Sequence, residues 1–168
     1  MTRIAAIYPS DRVTLREVGL RDGLQLVKAP PTTQEKIDWL AAEVAAGVRH
    51  FEVGSFLPAA RFPQFADIDD MIAAASALNA HSAALTLNER GAERALRTEV
   101  DELVCVVSAT EAHSQANMRR SRAEAIELVR HVATQRDAQA PGKLVNAGIS
   151  MALGPTVGGL LIHALSWR

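Results

Sequence analysis

Arg21 and Asp22 are adjacent opposite charges, followed at once by Gly23, at the end of the stretch TLREVGLRDGLQ. Arginine is a permanent cation able to neutralise developing negative charge, and aspartate offers hard oxygen atoms suited to Mg²⁺ or Mn²⁺. Taken alone, such a pair is more often a surface ion pair. A second signal lies in RHFEVGSF, where Glu52 sits inside an apolar, strand-like run. A carboxylate buried there without a partner is costly, so it needs either a partner or a task. Polar residues also mark the ends of other strand-like runs: Ser55 after the second, Thr86 and Asn88 after the third, Ser108, Thr110, Glu111 and Asn117 after the fourth. Individually these are ordinary turn and capping groups.

The elements that must position these residues alternate along the chain. Residues 12–18 read as a strand, although Arg16 and Glu17 interrupt its apolar character. TTQEKIDWLAAEVAAG reads as a helix with Ile37, Leu40, Ala41 and Val44 at helical spacing. Thr32 or Thr33 caps it, Glu35 follows early, and Gly47 stops it. Strands at 48–56, 81–87, 101–109 and 143–153, with helices at 65–78, 89–99 and 121–138, complete the order βαβαβαβαβ. That order predicts a parallel sheet covered by helices, either doubly wound or of the TIM-barrel type. Polar residues clustered at the carboxyl ends of strands favour the barrel. A dinucleotide fold needs G-x-G-x-x-G after its first strand, which EVGLRDGLQ does not supply, and no GxxxxGK[ST] phosphate loop occurs. Gly23 is expected to permit the tight turn that brings Arg21 and Asp22 over the barrel mouth.

Composition narrows the partners. A chain of 168 residues, 48% hydrophobic and 22% charged, has the balance of one globular domain. With 18 Lys plus Arg against 19 Asp plus Glu, the net charge of −1 gives no general attraction to nucleic acid or to an anionic membrane. No apolar run approaches the roughly 20 residues that span a bilayer. The segment MTRIAAIYPSDR has too short an apolar core, broken by Pro9 and Asp11, for a signal peptide, so a cytoplasmic location is expected. The single cysteine, Cys105 in LVCVV, excludes an intrachain disulfide and reads as a core residue. His50, His81, His113, His131 and His163 lack metal-ligand spacing and read as structural or exposed.

EVGLRDGLQ, KIDWLAAEVAAGVRHFEVGSFLPAARFPQFAD, LTLNERG, VSATEAHSQAN and ISMALGPTVGG together resemble successive motifs of hydroxymethylglutaryl-CoA lyase, from about residue 12 to about 159. That family belongs to the TIM-barrel metallolyases whose first strand ends in an Arg-Asp pair. Related Claisen-type synthases read D-T-x-L-R-D-G-x-Q, whereas this chain has Glu17-Val18-Gly19 before Leu20. The resemblance implies a carbon–carbon lyase cleaving 3-hydroxy-3-methylglutaryl-CoA to acetoacetate and acetyl-CoA with Mg²⁺ or Mn²⁺. It implies Arg21 and Glu52 as catalytic, Asp22 as metal ligand, and Arg21, Gln25, Ser55 and Asn117 as contacts to an acyl-CoA substrate. The chain departs from the family at Thr86-Leu87-Asn88, Asn117-Met118-Arg119 and Gly154-Pro155-Thr156.

A complete (β/α)₈ barrel takes ~250 residues, and this sequence stops after its fifth strand. The His-x-His pair, the further Asn ligand and the loop cysteine that the resemblance implies would come from later strands. The tail LLIHALSWR, residues 160–168, no longer resembles the family. The expectation is therefore one incomplete domain over 1–168, a partial TIM barrel of about five βα units. Its two edges, residues 12–18 and 144–153, stand open, and Val53, Leu85, Val106 and Ile149 lose facing partners across the barrel axis. Self-association follows from this, beside a family-type homodimer. Two other functions fit the residues: a catalytically dead half-barrel or interaction module, and a lyase for a related 3-hydroxyacyl-CoA such as citramalyl-CoA.

Overall fold

Five parallel strands lie side by side in chain order in the computed structural model, which describes residues 3–152. They are β1 (Arg16–Glu17), β2 (His50–Ser55), β3 (His81–Leu85), β4 (Glu102–Ser108) and β5 (Leu144–Ser150). Between them run α2 (Thr33–Ala45), α3 (Ile68–Ala77), α4 (Glu89–Leu96), α5 (Glu111–Met118) and α6 (Arg122–Gln139), with a short α1 (Arg3–Ile7) ahead of β1. A doubly wound sheet reverses its strand order at a switch point. Strict sequential order with parallel pairing is instead the topology of a TIM barrel, and the five strands form half of one. Among the described residues, no helix is long and apolar enough to cross a membrane.

Local sequence sets the helix starts. Thr32 and Glu35 form a reciprocal capping box on α2, and Ser121 and Glu124 form another on α6. Asn88 accepts from the Gly91 N–H at the start of α4, and Thr110 accepts from the His113 N–H at the start of α5. Leu40, Ile68, Met71 and Val132 from the helices bury against Phe51, Val53 and Leu103 from the strands, which fixes the helix layer on one side of the sheet.

The structure corrects four expectations. The first strand, expected over 12–18, keeps only two paired residues, and Val13 and Leu15 are exposed. Only Arg16 and Glu17 find partners on β2, at His50 and Phe51, and the chain turns away from Gly19 onward. Val53, expected to face the barrel axis, lies in the helix-side cluster. A bulge between Glu52 and Gly54 shifts the register there, and a Cβ on Gly54 would stand 2.7 Å from Ile68. Two helices stand outside the expected elements: α1, and α5, whose one buried residue is Ser114. The fifth strand ends at Ser150, and residues 153 and 160–168 lie outside the described range.

The amino-terminal end of the sheet carries a buried polar network. Glu102 accepts from Tyr8 Oη at 2.5 Å, Arg16 Nη2 at 2.6 Å and Asn146 Nδ2 at 3.0 Å, and its Oε2 lies 3.0 Å from His81 Nε2. Arg16 also donates to Tyr8. His50 packs against the rings of Tyr8 and His81, with its Nδ1 buried and without a hydrogen-bond partner. Burial opposes ionisation of Glu102, but bonds from His81, Tyr8, Arg16 and Asn146 outweigh it and hold the carboxyl down to about 2. Burial, then the charges of His81 and Arg16, hold His50 below the usual imidazole range.

Both groups bind protons more weakly folded than unfolded, so both contribute stability that is lost on acidification. His50 acts first, below about pH 6.5; Glu102 follows between about 4.5 and 2, with roughly 3 kcal/mol at stake. Urea unfolding midpoints measured from pH 7 to pH 2 should fall through both windows. In Glu102→Gln the midpoint at pH 7 should be lower and the acid limb flatter; an unchanged acid limb would refute the assignment.

Candidate active site

Beyond β1 the chain turns through a π-helical segment, Gly19–Gly23. The Gly23 N–H donates to the Val18 carbonyl at 3.4 Å and the Leu24 N–H to the Gly19 carbonyl at 3.0 Å. Such wide turns recur at functional positions. Leu20 and Leu24 bury on either side of Arg21 and Asp22 and pin the turn to the core. The glycine that matters sterically is Gly19, where a Cβ would stand 2.7 Å from the Trp39 ring. Gly23 has no left-handed φ, and a Cβ there meets nothing within 4 Å, so the expected role of Gly23 is not its conformation.

Arg21 closes over β2. Its Nε donates to Glu52 Oε1 at 2.8 Å and its Nη2 to Glu52 Oε2 at 3.2 Å, a two-point fork. The third nitrogen, Nη1, donates to Asp22 Oδ1 at 2.8 Å and to Gln25 Oε1 at 3.2 Å. The Glu52 side chain is only 6% exposed, and the fork offsets the cost of burying its charge. The arrangement is a guanidinium held in one orientation by four oxygens of three residues, which take up four of its five N–H groups.

The four residues expected at the centre, Arg21, Asp22, Gln25 and Glu52, are thus brought together. Ser55 is fully buried, and its hydroxyl donates to the Leu85 carbonyl at 3.3 Å within the sheet. Asn117 is exposed on α5, outside the Arg21 network. Thr86 bonds the Val104 carbonyl, and Asn88 and Thr110 cap helices, as turn residues do.

A second cluster at the carboxyl ends of β4 and β5 was half legible. Ser108 Oγ lies 2.9 Å from His113 Nδ1 and 3.3 Å from Ser150 Oγ. The place of Ser108 at a strand end is legible in the sequence; the pairing with Ser150 follows from register, Ser108 opposite Ser150, which sequence spacing does not reveal. His50 and His81 belong to the amino-terminal network, His131 is exposed, and His163 lies outside the described residues. Cys105 is buried, and burial pushes its thiol up.

Among the described residues no group of three or more His, Cys, Asp or Glu could hold a metal ion. Asp22, with a side chain 65% exposed, fits a hard divalent cation as one oxygen ligand and no more.

The family model described as HMGL-like matches residues 12–155. The hydroxymethylglutaryl-CoA lyase YngG of Bacillus subtilis (strain 168) is 32% identical over 148 residues, covering 88% of this chain and 48% of that protein. A 3-hydroxy-3-isohexenylglutaryl-CoA/hydroxy-methylglutaryl-CoA lyase of Pseudomonas aeruginosa is 35% identical over 117 residues, covering 69% of this chain and 39% of its own length. The crystal structure of the Bacillus subtilis HMG-CoA lyase superposes with a TM-score of 0.75 at 31% identity, over 85% of this chain and 48% of that one. The chain spans about half the length, or less, of these curated relatives. The half-barrel, the turn that carries Arg21 and Asp22, and these matches agree: the chain belongs to the HMGL-like family.

Proposed function

We propose that this chain carries the Arg-Asp half of the active site of a carbon–carbon lyase that cleaves 3-hydroxy-3-methylglutaryl-CoA to acetoacetate and acetyl-CoA. The observation that supports it is the guanidinium of Arg21, fixed by Glu52 where β1 turns over β2. In this cleavage the 3-hydroxyl loses its proton and C3 becomes the ketone of acetoacetate. The C2–C3 bond breaks, its electron pair passes to the thioester as an enolate, and protonation at C2 gives acetyl-CoA. Arg21 faces the enolate oxygen with a charge already oriented, which is how a fixed donor lowers such a barrier. Glu52 holds Arg21 and keeps it from turning to solvent. Gln25 steadies the third guanidinium nitrogen and is the proposed acyl-CoA contact, whereas Ser55, sealed in the sheet, and Asn117, outside the Arg21 network, are not carried into the proposal. Asp22 is the proposed ligand for Mg²⁺ or Mn²⁺, an ion that supplies polarisation of the substrate hydroxyl and carboxylate when bound. The other ligands lie beyond the described residues. A cytoplasmic location and a homodimer complete the proposal.

A chimera joining residues 1–152 to the carboxyl-terminal half of the Bacillus subtilis lyase tests it. Metal-dependent release of acetoacetate from 3-hydroxy-3-methylglutaryl-CoA is expected from the chimera and not from the 168-residue chain alone. A folded chimera without activity on this substrate overturns the reading, and turnover of citramalyl-CoA in its place redirects it to that thioester. Acetoacetate release by the 168-residue chain alone contradicts the need for outside ligands.

A further inference from the structure

Lys36 on α2 is 3% exposed, an unusual place for an ammonium group. Its Nζ lies 2.5 Å from Asp67 Oδ1 and donates to the Gln64 carbonyl at 3.0 Å. Asp67 Oδ2 accepts from Thr33 Oγ1 at 2.7 Å. Gln64, itself buried in a 3₁₀ turn at Pro63–Phe65, donates through Nε2 to the backbone carbonyl of Gln25 at 2.9 Å. Gln25 in turn accepts from Arg21. Polar contacts, joined through the covalent frames of Gln64 and Gln25, therefore link the buried ion pair to the guanidinium.

Well-packed apolar residues in place of both Lys36 and Asp67 are often as stable as a buried ion pair, so packing alone does not call for this set. What the set adds is direction, because its last bond lands on the segment that follows the π-helical turn. Beyond buried Leu24 that segment has little else to hold it: Leu26 is 89% exposed, and the Gln25 and Val27 N–H groups make only short-range bonds, to Asp22 and Leu24.

We infer that Gln64, fastened by the buried Lys36–Asp67 pair, is a positioning residue that fixes the Gln25 side of the turn and so the orientation of Arg21. The role matters for catalysis only if Arg21 is the active cation proposed above, but the positioning itself can be measured without turnover. Hydrogen–deuterium exchange read by mass spectrometry on the full 168-residue chain is suited to it, because association of chains does not prevent the measurement. In Gln64→Met, amides within residues 19–28 should exchange at least about tenfold faster while those of 50–56 stay unchanged. Gln64→His, whose ring Nε2 reaches as far as the amide nitrogen, should restore the protection. If Gln64→Met does not fold, Gln64→Glu, which keeps the length and loses the donor, is read the same way. Unchanged exchange in the turn overturns the inference, and so does an equal rise in both segments. An inactive chimera would count against the lyase reading alone and leave the exchange result standing.

Discussion

Arg21→Gln in the chimera is expected to lower turnover by about 10³-fold or more, since one preorganised donor to a developing oxyanion contributes on that order. The binding of Mg²⁺ or Mn²⁺ should persist, because the guanidinium ligates nothing. Asp22→Ala should do the reverse, weakening the apparent affinity for the metal, with activity recovered in part at high metal concentration. Both assignments come from the same short turn, where Arg21 Nη1 and Asp22 Oδ1 stand 2.8 Å apart, so neighbouring residues are predicted to fail in different ways. Arg21→Gln also leaves Glu52 buried without its cation, a loss of about 3 kcal/mol or more in stability. Thermal midpoints must therefore be measured beside the kinetics, and Glu52→Gln combined with Arg21→Gln should recover much of the stability without recovering turnover. Equal and small kinetic effects of Arg21→Gln and Asp22→Ala would sink the division of roles.

The 168-residue polypeptide produced by itself is expected to associate rather than remain a monomer. Among the described residues β5 pairs with β4 alone, and its seven residues LVNAGIS hold neither charge nor proline, the usual guards of an open edge. Ile149 is 64% exposed on that strand, and Val13, Leu15 and Leu26 are exposed near the opposite edge. Size-exclusion chromatography with light scattering should report dimers or larger species, and Ile149→Lys should shift the population toward monomer. A single monomeric species with a sharp, reversible thermal transition would show that five strands close their core unaided.

Most of the strand and helix order is legible because β2 to β5 are compact, mainly apolar runs and α2, α4 and α6 begin at a Thr, Asn or Ser cap, whereas α3 starts at Asp67 without a side-chain cap bond. The misses have physical reasons. Phe51 to Ser55 are all buried, as on a barrel strand covered on both faces, so apolar character alone does not separate the faces; the alternation Phe51-Glu52-Val53 is the cue that sets Val53 opposite Glu52, ahead of the register shift between Glu52 and Gly54. The helix α5 lacks an apolar stripe, and β1 is short because β2 pairs with it only at His50 and Phe51 before the chain turns at Gly19. At the candidate site, Glu52 is legible as a buried carboxylate in need of a cation. That the cation is Arg21 is a fact of three dimensions, set by the turn at Gly19. Lys36 and Gln64 carry no local signal, since their partners lie 28 to 39 residues away.

The strand order has a consequence for synthesis on the ribosome. Each strand from β2 onward pairs with the one made just before it, so the sheet can grow in the order in which it emerges. The network at its amino-terminal end cannot, because Tyr8 and Arg16 bond to Glu102 across 94 and 86 residues. At about 5–20 residues per second, the interval between making Tyr8 and making its acceptor is roughly 5–20 seconds. Through that interval α1 has no Glu102 to hold Tyr8, so a segment made well before β4 is fastened only once β4 has been made.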